Sequence, residues 1–101
     1  MKKIILLLSI LLTQITASAF EVDALTFNIR FDNANDGDNA WPKRAVMVGE
    51  WIKSESPDVI GLQEALRHQI NDIRKMASSY SEYGVGRDDG KFRGEHCSIL
   101  Y

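Results

Sequence analysis

The sequence contains a single cysteine, Cys97, among its 101 residues. No disulfide can therefore form within the chain, although small exported domains often depend on disulfides for stability. We expect Cys97 to be buried in an apolar strand as a small hydrophobic residue; a free reactive thiol and an intermolecular partner are the alternatives. A domain this short without covalent cross-links has a core of marginal stability. This indicates that the chain is one part of a larger domain.

Long apolar runs are also missing. The one run, residues 4–12, is interrupted by a serine and is shorter than the roughly 20 residues that a membrane-spanning helix needs. Lys2 and Lys3 precede it and small residues at 17–19 follow it, which is the layout of a secretory signal peptide. An uncleaved anchor is the alternative, and the lack of a cysteine after the run disfavours a lipid anchor. We predict a signal peptide over residues 1–19 and a bacterial protein exported to the periplasm or the medium, without stable membrane association after cleavage.

The chain has no excess of positive charge. Residues 20–101 hold 10 basic and 14 acidic side chains, a formal net charge of −4. This argues against a strong non-specific nucleic-acid binder, which carries a basic face. It does not exclude an enzyme that contacts phosphates locally, through a metal and a few arginines. No internal repeat or low-complexity stretch is present, and nothing in the sequence indicates an obligate protein partner.

Hydrophobic periodicity predicts a strand–helix–strand unit. Apolar and polar residues alternate over residues 21–30, as in a pleated strand. A short apolar run within residues 58–64 suits a strand that is buried on both faces. A predicted helix lies between the two strands, and the whole unit has the size of a βαβ crossover with parallel strands.

The predicted helix between these strands has one apolar stripe. The stripe comprises Trp41, Ala45, Val48 and Ile52. We expect Asn39 or Asp38 to cap its amino end, with Pro42 in its first turn. The helix should end near Ser54, before the next proline.

A second helix and a hairpin complete the predicted α/β fold. The helix runs from about Leu66 to Ser78, and residues 83–86 are a short strand candidate. Asp89-Gly90 is a strong hairpin turn signal. Residues from His96 to Tyr101 alternate in a last strand, inside which the chain stops. We therefore expect a truncated domain.

A polar loop over residues 32–39 is rich in acids. A calcium-binding template that starts at Asp32 fits a glycine at its sixth position, but fails at Ala34 and at Lys43, where a bidentate glutamate is required. The sequence favours a solvated loop beside a groove. The alternative is a secreted, non-catalytic binding module that uses this loop for calcium or for a partner.

Polar side chains stand where the two parallel strands end. Asn28 lies near the end of the first strand and Glu64 at the end of the second. Neighbouring strands are about 4.8 Å apart, so an amide oxygen and a carboxylate at this edge can share one hard divalent cation. Mg²⁺ suits such a site because it keeps several waters and takes few protein ligands. No cysteine or histidine stands with them to favour zinc.

Two segments together resemble the endonuclease/exonuclease/phosphatase superfamily. These are residues 26–30 (TFNIR) and 58–64 (DVIGLQE), of which neither alone is specific. The stretch from Tyr83 to Glu95 is similar to an exported bacterial branch, close to nocturnin and deadenylase-type exonucleases. The resemblance covers residues 20–101 and the N-terminal part of a family domain. It implies the N-terminal part of a deoxyribonuclease-like fold, a four-layer α/β sandwich.

The resemblance also implies roles for four residues. Glu64 would be the principal ligand of Mg²⁺ or Mn²⁺, and Asn28 would bind the metal or the scissile phosphate. Glu95 would orient a catalytic histidine from the other part of the domain, and Arg87 would contact a phosphate. The alternatives are a surface pair of Glu95 with Arg93 or Arg87, and an Arg87 that only shapes the hairpin.

The implied reaction is metal-dependent hydrolysis of phosphoester bonds. The expected activity is a nuclease-like phosphodiesterase acting on RNA or DNA; a phospholipid or sugar-phosphate phosphatase is the alternative. The family's Gly-Asp-x-Asn and Asp-His segments, which activate the attacking water, are absent from this chain. The chain departs from the resemblance at Arg30, where some members have an aspartate, and an arginine there is no ligand for a second metal. His68 is expected at the surface, and His96 is expected to be structural or exposed.

Overall fold

The computed structural model describes residues 18–101, so the predicted signal peptide lies outside the described residues apart from its last two positions. The predicted strands and helices follow one another in the predicted order, and a 3-10 helix that was not predicted lies between the first strand and the first helix. They are β1 (Ala24–Asn28), a 3-10 helix (Ala34–Asn39), α1 (Trp41–Glu55), β2 (Val59–Gln63), α2 (Arg67–Met76), β3 (Glu82–Tyr83) and β4 (Ile99–Leu100).

The strands form one mixed sheet in the order β1-β2-β4-β3. β1 and β2 are parallel, and Leu25 pairs with Ile60 in their register. β4 is antiparallel both to β2 and to β3. The sheet therefore confirms a βαβ unit followed by a helix and a β-hairpin.

Both helices pack on the same face of the sheet. In β2 the side chains of Ile60 and Leu62 point to this face and are fully buried. One cluster joins these strand residues to the predicted stripe of α1 and to α2, and its members within the two helices are Trp41, Val48, Ile52, Ile70 and Ile73. Burial of these residues fixes the helices against the sheet, because each large apolar side chain that is fully removed from water contributes about 1.5–3 kcal/mol.

The predicted cap of α1 is wrong. Ala40 occupies the N-cap position and makes no side-chain capping bond. The Asp38 carboxylate instead accepts a 2.6 Å bond from Lys43, and the Asn39 carbonyl accepts a 2.6 Å bond from Arg44. Both candidate residues belong to a 3-10 helix where a loop was predicted. Pro42 does lie in the first turn of α1, as expected.

The prediction that Cys97 is buried is also wrong, since its side chain is exposed. Leu100 pairs with Ile60, which faces the helices. Strand alternation then turns His96, Ser98 and Leu100 inward, and all three are fully buried. Cys97 alternates with them and lies on the face of the sheet that the helices leave uncovered.

The termini of the elements differ from the predictions by a few residues. β1 is shorter at both ends than residues 21–30, and α2 begins and ends within residues 66–78. Within residues 18–101, no helix combines the length and the apolar content that crossing a bilayer requires.

Candidate functional site

Glu64 stands in a β-bulge at the carboxyl end of β2. Gly61 pairs with Ile99, and Ala65 pairs with His96, so three residues on one side face two on the other. The Leu62 amide donates to the Ser98 carbonyl at 2.8 Å, which leaves Gln63 and Glu64 opposite a single residue. A bulge re-aims side chains and is common beside active sites.

The backbone of Glu64 is in the left-handed region, with φ of 57°. For a residue other than glycine this conformation costs on the order of 1–3 kcal/mol, and such residues cluster at functional sites. Arg30, at the end of β1, has the same unusual conformation, with φ of 59°. Both parallel strands therefore end in a strained turn at the same edge of the sheet.

Asn28 and Glu64 meet at this edge, as the sequence predicts. The Asn28 Nδ2 atom donates to Glu64 Oε1 at 3.0 Å. The Phe31 amide donates to the other carboxylate oxygen, Oε2, at 3.3 Å. The Arg30 amide donates to Asn28 Oδ1 at 2.9 Å, which fixes the orientation of the Asn28 side chain. The carboxylate is thus held at both oxygens before any ligand binds.

These contacts keep Glu64 ionised. The hydrogen bond from Asn28, followed by that from the Phe31 amide, holds the pKa of Glu64 below its ordinary value of 4.5. The positive charge of Arg30 acts in the same direction. A carboxylate that accepts hydrogen bonds in its charged form is a good ligand for a hard cation.

The donor set fits an open magnesium-type site and does not fit a closed cage. Each Glu64 oxygen accepts one of these two hydrogen bonds, so each has a further lone pair for a cation. Residues 18–101 contain no group of three or more His, Cys, Asp or Glu side chains that could hold a metal. Mg²⁺ can be bound by one or two carboxylates, with waters and substrate oxygens as the other ligands. In this arrangement the Asn28 oxygen faces the Arg30 amide, so Asn28 orients Glu64, and it must rotate to act as a ligand.

Arg30, at the end of β1, is paired with an acid of the following loop. Its Nε and Nη2 atoms bind both carboxylate oxygens of Asp36, at 3.1 and 3.0 Å. The hydrogen bond and charge of Arg30 hold the pKa of Asp36 below its ordinary value. This position therefore supplies a cation beside Glu64 and no carboxylate for a second metal.

The acids of the loop after β1 are engaged with basic groups. Asp32 lies 2.8 Å from His68 Nε2, Asp36 pairs with Arg30, and Asp38 pairs with Lys43. These carboxylates point to separate partners and do not converge. The arrangement disfavours the calcium-loop alternative. His68 is exposed, as predicted.

Arg87 and Glu95 form a second pair, on the hairpin. Arg87 Nη1 lies 2.6 Å from Glu95 Oε2, and the Arg87 amide donates to the Glu95 carbonyl at 3.0 Å. The next residue, His96, pairs with Ala65, so the pair lies close to the end of β2. Among the contacts found in residues 18–101, none joins this pair directly to Asn28 or Glu64. The predicted roles of Arg87 and Glu95 remain predictions.

His96 is fully buried and takes a structural position. Its amide donates to the Ala65 carbonyl at 2.7 Å, and its Nδ1 atom lies 3.0 Å from the Gly94 carbonyl. Because a carbonyl only accepts, Nδ1 carries the proton. The ring closes the base of the hairpin loop and faces away from Glu95 along the strand.

The hairpin loop is closed by Asp89, and this gives a test in solution. Asp89 Oδ1 accepts from the amides of Lys91, Phe92 and Arg93 at 2.8, 2.9 and 3.0 Å. These bonds, with that from Arg93 first, hold the pKa of Asp89 below its ordinary value of 3.8. Because the pKa of Asp89 is lower in the folded protein than in the unfolded chain, its charge stabilises the folded loop at pH values above the ordinary pKa. This stabilisation is lost as the pH falls through the folded-state pKa.

We therefore expect the amide resonance of Phe92 to titrate with a midpoint below pH 3.8. In Asp89→Asn, which keeps the acceptor and loses the charge, this titration should disappear. The measurement is an NMR pH titration of both proteins. A midpoint at or above the ordinary value would contradict the loop geometry.

Gln69 is a residue of the site that sequence reasoning missed. It is fully buried on α2 and bonds to the backbone of the segment after β1. A signal was present, because Gln69 stands three residues after Leu66 and four before Ile73, beside the apolar stripe of the helix. The role of the Phe31 amide left no signal in the sequence, since every residue except proline carries such a group.

Comparisons with known proteins found similarity in sequence and in fold. A sequence model described as the Endonuclease/Exonuclease/phosphatase family matches residues 25–97. No match was found among curated proteins. The chain is similar to a solved endonuclease/exonuclease/phosphatase from Bacteroides vulgatus, with 42% identity and a TM-score of 0.79, over 82% of this chain and 32% of that one.

Two structures from Bacteroides thetaiotaomicron are also similar. One is an endonuclease/exonuclease/phosphatase family protein, with 33% identity and a TM-score of 0.74, over 79% of this chain and 30% of that one. The other is a mannosyl-6-phosphatase, with 32% identity and a TM-score of 0.75, over 80% of this chain and 31% of that one. The chain thus spans about a third of the length of these structures. The likeness confirms the predicted α/β, deoxyribonuclease-like fold.

Proposed function

Because the chain belongs to the endonuclease/exonuclease/phosphatase family, whose members are hydrolases of phosphoesters that generally use divalent metals, we propose that the full-length protein containing it hydrolyses phosphate esters with a cation bound at Glu64. The proposed ion is Mg²⁺ or Mn²⁺. The observation that carries the proposal is the ionised Glu64 carboxylate, held by Asn28 and by the Phe31 amide at the end of β2. We also propose export, with a mature amino terminus at Phe20, which protein sequencing would test.

Each residue of the proposed site has a separate role in binding the cation or the phosphate. Glu64 would hold the cation, and a cation there would supply polarisation of a phosphoryl oxygen and stabilisation of the leaving oxygen. Asn28 fixes the Glu64 carboxylate and offers its amide to the scissile phosphate. Arg87, paired with Glu95, is the proposed phosphate contact on the hairpin side. An arginine suits this role because its planar group binds phosphate oxygens in pairs.

Two substrate classes are proposed. RNA or DNA is the class that the sequence predicts. A sugar phosphate is the second candidate, and the similarity to a mannosyl-6-phosphatase over 80% of the chain favours it. The net charge of −4 over residues 20–101 also suits a small phosphorylated substrate better than a polyanion.

Removal of metal is the test of this function. After treatment with EDTA, we expect the full-length protein to lose hydrolysis of its substrate, and to regain it with Mg²⁺ or Mn²⁺. Mannose 6-phosphate, short RNA, short DNA and sphingomyelin should be assayed side by side. Hydrolysis that persists without metal, or no hydrolysis of any phosphoester, would overturn the proposal.

A further inference from the structure

Gln69 joins the chain segments on the two sides of Glu64. Its Oε1 atom accepts from the Asp32 amide and from the Leu66 amide, each at 3.1 Å. Its Nε2 atom donates to the Arg30 carbonyl at 2.9 Å. One buried side chain thus makes three hydrogen bonds to backbone, two to the turn after β1 and one to the start of α2.

The turn held by Gln69 is the one that holds Glu64. Phe31, whose amide donates to Glu64 Oε2, lies between the two residues that Gln69 bonds. The last backbone bond between the two parallel strands runs from the Ile29 amide to the Gln63 carbonyl. Beyond this point no backbone hydrogen bond between the strands joins the turn to Glu64. The turn is held there by hydrogen bonds that involve the side chains of Asn28, Glu64 and Gln69.

The hydrogen bonds of Gln69 hold the turn firmly because the side chain is buried. Gln69 is fully buried, so an apolar side chain of the same volume at this position leaves three backbone groups without their hydrogen-bond partner. The side-chain amide of Gln69 bonds to the residues on either side of Phe31, whose backbone amide donates to Glu64. No hydrogen bond joins Gln69 to the Glu64 carboxylate itself in the described residues. A change at Gln69 therefore reaches Glu64 through the backbone that Gln69 holds, and the Phe31 amide is the group of that backbone that donates directly to Glu64.

We propose that Gln69 is a positioning residue of the site: it fixes the Phe31 amide against Glu64 and so sets how tightly Glu64 binds a divalent cation. This inference rests on the proposed function. Partners of metal ligands of this kind are typically worth 10–100-fold in metal affinity or activity. We expect a loss of about tenfold in Mn²⁺ affinity when the hydrogen bonds of Gln69 are removed.

The variant is Gln69→Met, which keeps the volume and removes the hydrogen bonds. Its matched control is Tyr80→Phe. Tyr80 is also buried, and its hydroxyl donates to the Pro57 carbonyl at 2.5 Å, next to the opposite end of β2. Both variants lose buried hydrogen bonds, but only one loses them beside Glu64.

Two readouts on the full-length protein separate positioning from general stability. Hydrogen exchange of the Phe31 amide, measured without metal, should be faster in Gln69→Met and unchanged in Tyr80→Phe. Mn²⁺ titration should show the tenfold loss only in Gln69→Met. Equal effects of the two variants on both readouts would overturn the inference.

A measurement on the unaltered protein covers the case in which Gln69→Met does not fold. The amides of Phe31, Asp32 and Leu66 should then exchange in one common opening, and Mn²⁺ should slow all three. Independent exchange of Phe31 would overturn the inference. Failure of the proposed function looks different: Glu64→Gln would then bind Mn²⁺ as tightly as the unaltered protein.

Discussion

Replacing Glu64 with glutamine is expected to lower kcat/KM for phosphoester hydrolysis by about a thousandfold in the full-length protein. Stabilisation of transition-state charge by a bound metal amounts to several kcal/mol, and each 1.36 kcal/mol is a factor of ten in rate. Glutamine keeps the size of the side chain and can still accept a hydrogen bond from Asn28. It loses the charge that attracts the cation. The fold should therefore survive while the metal site is lost.

The control for this variant is Glu50→Gln, an exposed glutamate on α1. It removes the same charge from the same protein, away from the end of β2, and should leave kcat/KM unchanged. Steady-state kinetics at several Mg²⁺ concentrations give both numbers. Full activity in Glu64→Gln would exclude this residue as the ligand.

Replacing Trp41 with alanine is expected to destabilise the protein by about 3–5 kcal/mol, the usual cost of removing a large buried aromatic side chain. Trp41 is 1% exposed and begins α1. Its Nε1 atom donates to Asp72 Oδ2 at 3.0 Å, which ties α1 to α2 and holds the pKa of Asp72 below its ordinary value. The change removes packing and a hydrogen bond between the helices at once.

The other tryptophan of the same helix is the matched control. Trp51 is 43% exposed and meets Phe27 edge-on, with ring centroids 5.5 Å apart. Trp51→Ala should cost clearly less than Trp41→Ala in urea denaturation of the full-length protein. Equal losses would show that α1 packs with a different face towards the sheet.

The order of strands and helices could be predicted from hydrophobic periodicity, because the burial of apolar residues determines both the spacing in the sequence and the packing of the fold. The stripe from Trp41 to Ile52 and the apolar run of β2 are each set by a spacing that is visible in the sequence. The meeting of Asn28 with Glu64 followed as well. Parallel strands end at one edge, whatever the details of their register.

The features that the sequence did not predict depend on register and on backbone groups. The bulge at Glu64 is created by one extra residue between two paired segments, and no residue type marks it. The burial of His96 in place of Cys97 follows from the pairing of Leu100 with Ile60, which a short strand cannot reveal alone. The cap of α1 was missed because the preceding 3-10 helix takes up Asp38 and Asn39 and leaves Ala40 at the N-cap position.

The most direct test of the account is the position of a bound metal. Crystals of the full-length protein soaked in Mn²⁺ should show an anomalous peak within coordination distance, about 2.0–2.3 Å, of a Glu64 carboxylate oxygen. The Phe31 amide should remain hydrogen-bonded to that carboxylate. A peak at other residues, with Glu64 left without a metal, would contradict the assignment of this site.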